Sequence, residues 1–136
     1  MYNRRTTKLA VDEILRKKLE GKSQFHAFLI LDLDNFKMLN DKFGHMKGDS
    51  VLQEVAAKLT EYFGKNGIIG RLGGDEFIVF VKNLASINDL KNTLNNILED
   101  INITYTIEET SVTISTSIGI ALAPKDGNSF QELYKK

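Results

Sequence analysis

The stretch from Gly67 to Lys82, "GIIGRLGGDEFIVFVK", limits the possible folds more than any other part of the chain. Two runs rich in β-branched and aromatic residues flank Gly73 and Gly74, and runs of that kind separated by a glycine turn form an antiparallel hairpin. A lone hairpin is marginal in water, so the rest of the chain must supply more strands and helices to cover them. The charges are unexpected. Asp75 and Glu76 stand side by side where the second strand begins, although acidic residues are poor strand formers. On local grounds they complete a turn. Because strand neighbours point to opposite faces, the same placement lets one carboxylate face whatever lies over the sheet.

The remaining segments alternate between helical and strand patterns. Val11, Ile14, Leu15 and Leu19 fall on one helical face that ends near Gly21, and "FHAFLILDLD" reads as a buried strand with a carboxylate-bearing end. "FKMLNDKFG" suits a short helix closed by Gly44, and Val51, Leu52, Val55, Leu59 and Tyr62 define a longer amphipathic one. Ser86 and Asp89 resemble a capping box ahead of Ile87, Leu90, Leu94, Ile97 and Leu98. "ITYTIEETSVTISTSIGIALAP" gives two strands with a turn near Glu109, and Phe130, Leu133 and Tyr134 open a last helix that the sequence cuts off. The order α-β-α-α-β-β-α-β-β-α predicts an α+β fold: a central, largely antiparallel sheet with helices packed on it.

Composition narrows the class. With 136 residues, 42% hydrophobic and 26% charged, the chain suits a single globular domain over 1–136. Eighteen basic residues balance eighteen acidic ones, which argues against a broad basic surface, so no nucleic-acid partner is expected. Without cysteine there is neither a disulfide framework nor a thiolate metal site. No leader and no apolar stretch of spanning length is evident, so the expectation is a cytoplasmic domain without direct membrane contact.

If "FLILDLD" is the central strand and the glycine hairpin pairs beside it, Asp32 at the strand end approaches Asp75 at the turn. Like charges held that close raise a pKa or recruit a cation. Magnesium, which takes a few carboxylates plus substrate phosphates, would relieve the repulsion and predicts a nucleoside triphosphate site. The simpler alternative is that both aspartates only cap and turn. Taken alone, "GHMKGD" reads in the same plain way, as a helix cap at Asp49 with Asn40 a solvated helical residue.

Three separated blocks, "LILDLDNFKMLNDKFGHMKGDSVLQEVA", "GRLGGDEFIVF" and "VTISTSIGIALAPKDG", resemble the GGDEF domain of diguanylate cyclases in content and order. The resemblance runs over nearly the whole chain. It implies a fold like that of the polymerase palm and the nucleotide cyclases, and an enzyme that condenses two GTP into cyclic di-GMP with release of pyrophosphate. Each domain would be a half-site facing a second copy, with a sensory or regulatory domain upstream. It also implies two magnesium ions per site, which manganese can replace, held by Asp32, Asp75 and the backbone carbonyl of Leu33. Glu76 matches a carboxylate that is either a further ligand or the base for the attacking 3′-hydroxyl, and both roles stay open. Asn40 and Asp49 match the pair that reads guanine, whose N1–H and 2-amino donors adenine does not offer together. Asn35, Phe36 and Lys37 suit the β- and γ-phosphates at a helix N-terminus, which Asp34 is expected to cap. Gly73 and Gly74 would be small so that GTP can lie against the hairpin backbone. His45 matches a position usually treated as structural.

The chain departs from the family pattern in three places. It opens at "MYNRR", the tail of the family's opening motif, and closes at "QELYKK", before the helix whose cations meet the triphosphate. The domain therefore looks cut short at both ends, and weak or absent activity is expected of the isolated chain. Gly64 and Gly67 stand where the product-inhibition motif would place Arg and Asp, so no inhibitory site of that kind is expected. A second reading of the whole is a GTP-binding regulatory module that no longer turns over.

Overall fold

The computed structural model describes residues 2–17, 24–65 and 67–135. Ten elements follow in the expected order: α1 (Arg4–Leu15), β1 (Phe25–Asp34), α2 (Phe36–Phe43), α3 (His45–Phe63), β2 (Gly67–Gly73), β3 (Glu76–Leu84), α4 (Ile87–Asp100), β4 (Ile103–Ile107), β5 (Thr110–Ala123) and α5 (Phe130–Tyr134). The strands make one antiparallel sheet in the order β2-β3-β1-β5-β4, with β1 at its centre. That position explains why "FHAFLILDL" is apolar on both faces.

Alternation along the strands divides the core in two. Leu29, Leu31 and Leu33 of β1 join Phe77 and Val79 of β3 on the face covered by α2, α3 and α4. Phe28 of β1 joins Ile78 and Phe80 of β3 on the other face, where Val11 of α1 and Phe130 and Leu133 of α5 close over them. Phe77 has no exposed surface, and truncating such a ring to alanine costs about 3–5 kcal/mol. Asp32 and Ser117 border a groove on this face that is also lined by Leu133 and Tyr134 of α5.

Local chemistry sets the boundaries. Asn3 caps α1 by accepting from the Thr6 amide at 2.9 Å, and Arg16 ends that helix; Leu19 and Gly21, read as its continuation, lie outside the described residues. Gly44, at φ 89°, closes α2 and opens α3 in a single residue, a backbone state that favours glycine. Ser86 accepts from the Asp89 amide at 3.3 Å, as its capping position predicts. Glu108, at φ 56°, makes the turn into β5 with Glu109.

Candidate functional site

The site begins at the end of the central strand. Asp32 of β1 is paired with Glu76 of β3 on one side and with Ser117 of β5 on the other. Residues directly opposite on antiparallel strands share a face, so Glu76, Asp32 and Ser117 form a row across three strands. Asp75 lies in the turn beside them, its carbonyl accepting from the Leu33 amide at 3.2 Å. The Leu33 side chain is buried in the core, which leaves only its backbone to serve the site. Asp32 is held above the usual aspartate range, first by partial burial and then by the charges of Glu76, Asp75 and Asp34. The carboxylates of this acidic end thus repel one another.

Hard oxygen donors of this kind suit magnesium. Among the described residues no three acidic or histidine side chains are already gathered in a metal-holding geometry. Glu76 Oε1 accepts a 2.7 Å hydrogen bond from the Tyr134 hydroxyl.

Gly73 and Gly74 sit at φ 153° and 51°, so the turn needs glycine for its backbone alone. Nothing lies within 4 Å of where a Cβ would stand on either, leaving the outer side of the turn open. Arg71 braces the turn from within, its Nε donating to the Gly74 carbonyl at 3.1 Å.

Asp34 is not the helix cap that the sequence suggests. It lies inside β1, opposite Ser115, and its carboxylate accepts from Ser115 Oγ at 2.9 Å and from Ser117 Oγ at 3.0 Å. A side chain standing over the sheet cannot turn back to the helix amides, because the chain bends only at Asn35. Asn35 occupies the cap position in the left-handed region at φ 67° and makes no side-chain cap, since its Nδ2 donates instead to the Thr113 carbonyl at 3.0 Å. The first amides of α2, at Phe36 and Lys37, are therefore not claimed by a capping side chain, and the Lys37 side chain is exposed beside them.

Asn40 and Asp49 are placed apart from the plain readings too. Asp49 lies inside α3, past its first turn, and caps nothing. It lines a cavity of about 470 Å³ with Leu52, Gln53, Ala56 and Arg71. Asn40 is half-buried, and its Oδ1, packed against Gly48, has no hydrogen-bond partner among the described residues. His45 is exposed at the start of α3.

The structure thus gathers Asp32, Asp75 and Glu76 at one strand end and sets Asn40 and Asp49 at the α2–α3 corner. Arg71 spans both regions. Tyr134 and Arg71 were not picked out from the sequence. Tyr134 read only as one apolar position of a helix, while Arg71, three residues before the turn carbonyl it braces, had a local signal that could have been used.

An antiparallel α+β sheet with an acidic central strand end beside a glycine hairpin is the arrangement expected of a GGDEF domain. The sequence profile described as "Diguanylate cyclase, GGDEF domain" matches residues 1–136, and the chain belongs to that family. The signaling protein YkoW of Bacillus subtilis is 37% identical over 126 residues, which is 90% of this chain and 16% of that protein. Diguanylate cyclase TpbB of Pseudomonas aeruginosa is 38% identical over 117 residues, 85% of this chain and 26% of that protein. The crystal structure of the GGDEF domain of TpbB (YfiN) from Pseudomonas aeruginosa superimposes with a TM-score of 0.84 at 33% identity, covering 98% of this chain and 83% of that one. The chain spans about a sixth to a quarter of the length of these curated relatives. Among the described residues no helix is long and apolar enough to cross a membrane.

Proposed function

We propose that residues 1–136 form one catalytic domain of a diguanylate cyclase, a half-site that joins two GTP into cyclic di-GMP against a second copy of itself. The observation that carries this reading is the cross-strand row of Asp32 and Glu76 beside the glycine turn, where neighbouring carboxylates repel one another. Asp32, Asp75 and the Leu33 carbonyl are the donors for divalent metal, with Glu76 either completing the set or taking the proton of the attacking hydroxyl. Bound magnesium would supply Lewis-acid activation of the 3′-oxygen and neutralise charge on the departing pyrophosphate.

The chain's own residues do the rest. The uncapped amides at Phe36 and Lys37, with the Lys37 ammonium, suit the β- and γ-phosphates. Asp49, which lines the cavity beside α3, accepts from the guanine N1–H and 2-amino group, and Asn40 on α2 is its partner in reading the base. Adenine lacks that donor pair and would leave the Asp49 charge unmatched. The open outer face of Gly73 and Gly74 leaves room for nucleotide against the turn. Each 3′-hydroxyl gives up its proton, its oxygen bonds to the α-phosphorus of the facing GTP, and the bond to the β-phosphate breaks to release pyrophosphate. Two reciprocal steps close the ring.

The deciding experiment is magnesium-dependent GTP turnover by the full-length protein, measured beside its Asp75→Ala variant. Cyclic di-GMP formation that is lost in the variant supports the reading. Tight magnesium-GTP binding without any product would favour the silent regulatory module instead.

A further inference from the structure

Tyr134, the last residue of α5, reaches across the sheet to the acidic row: its hydroxyl donates to Glu76 Oε1 at 2.7 Å. Its ring has little freedom. It stacks on Phe130 with centroids 5.9 Å apart and planes 13° from parallel, and the Arg4 guanidinium of α1 lies 5.3 Å from its centroid. Phe130 is itself buried, edge-on to Phe28 of the central strand. The hydroxyl is therefore anchored through the core and not merely draped on the surface. Donation to Glu76, then burial, then the Glu76 charge hold this phenol above its ordinary range against the opposing pull of Arg4, so it stays a protonated donor at neutral pH.

A half-buried phenol does not need a carboxylate, since water could satisfy it. Glu76, by contrast, has a flexible side chain at a strand end, and one engaged oxygen fixes its rotamer while leaving the other for a ligand. We propose that Tyr134 is a positioning residue for Glu76, its hydroxyl holding that carboxylate in the row with Asp32 and so preparing the acidic end for a divalent cation. This rests on the cyclase reading for its consequence in catalysis, but the positioning itself does not require turnover. Partners of metal-site carboxylates commonly change metal affinity or activity by about 10- to 100-fold when removed.

The test is a double-mutant cycle of Tyr134→Phe and Glu76→Gln, read by electron paramagnetic resonance with Mn²⁺ alone as the probe. Phenylalanine keeps the Phe130 stack and the ring under Arg4, and thermal melts check that the fold is retained. Tyr134→Phe is expected to weaken Mn²⁺ binding about 10-fold, and to weaken it no further in the Glu76→Gln background. In the full-length protein kcat should fall by a similar factor while KM for GTP stays within about twofold. Unchanged affinity and kcat, tighter Mn²⁺ binding in Tyr134→Phe, an equal loss in the Glu76→Gln background, or no Mn²⁺ binding by the wild type would each overturn the assignment. A wild type that makes no cyclic di-GMP sinks the cyclase reading alone, because the Mn²⁺ cycle still decides the role of Tyr134.

Discussion

A Cβ placed on Gly48 would stand 1.8 Å from Asn40 Oδ1, so these two residues, on successive helices, admit each other only because one has no side chain. Gly48 lies inside α3, where alanine would ordinarily stabilise a helix by about 1 kcal/mol. The obstacle is the far end of an asparagine, which can swing away. Gly48→Ala is therefore expected to keep or raise the melting temperature while expelling Asn40 from the α2–α3 corner. GTP affinity should fall about tenfold, ATP affinity should not change, and Gly48→Ala should do nothing further in the Asn40→Ala background. Calorimetry on the four proteins checks this; a large loss of stability with GTP binding intact would assign the pair to packing.

Asp32→Asn tests the crowding of carboxylates through its pH dependence. The folded pKa of Asp32 lies above its unfolded value of about 3.9, so between the two the native state holds the extra proton. Stability from this group is then full at low pH and is lost as pH rises through the folded pKa. Without magnesium the asparagine variant should be the more stable protein at pH 7, and the gap should close as pH falls towards 4. Magnesium with GTP should reverse the order, since only the aspartate gains from the cation. Denaturation curves at several pH values decide it, and a variant less stable than wild type at pH 7 in chelator would contradict the crowding.

Gly74→Asn separates two reasons for a glycine at the turn. Asparagine tolerates the left-handed region better than other side chains, whereas alanine there costs about 1 kcal/mol. If backbone freedom were the whole reason, Gly74→Asn would keep both stability and turnover. The expectation here is that stability holds nearly to wild type and turnover drops, because a side chain now fills the open ground against which nucleotide would lie. Melting temperature and GTP turnover measured on one preparation distinguish the two.

What the sequence made readable was local or strongly periodic. The hairpin came from two apolar runs about two glycines, the central strand from its two-faced hydrophobicity, and the Ser86 cap from its spacing to Asp89. The residues whose surroundings local pattern did not show all depend on partners in other elements. Asp34 looked like a cap because a helix follows it, yet Ser115 and Ser117 arrive from β5 and claim its carboxylate. Asn40 looked solvated because helix periodicity says nothing of the glycine on the next helix that lets it sink. Tyr134 looked like core because its ring is, while its hydroxyl meets a carboxylate 58 residues away. Side chains with an apolar body and a polar tip are the ones on which hydrophobic patterning is silent.

The chemistry sets a last expectation, for assembly. On the proposed reading one Asp32–Glu76 row with one α2–α3 corner takes one GTP, yet a cyclic dinucleotide needs two 3′-oxygens attacking two α-phosphates in opposite directions. Two identical half-sites related by a two-fold axis meet that requirement with the fewest new contacts, since each presents the same turn to the other. The open outer side of Gly73 and Gly74 is compatible with such an approach. Turnover per domain should then climb with protein concentration below the dimer dissociation constant and level off above it. Fusion to a dimerising coiled coil should remove the dependence by raising the effective concentration of one half-site beside the other. Mixing Asp75→Asn domains in excess with wild type should depress the rate as the wild-type pairs are diluted into mixed ones, because each mixed pair can complete only one of the two attacks. A rate per domain that is independent of concentration, at a monomeric mass by light scattering, would exclude the two-domain reaction.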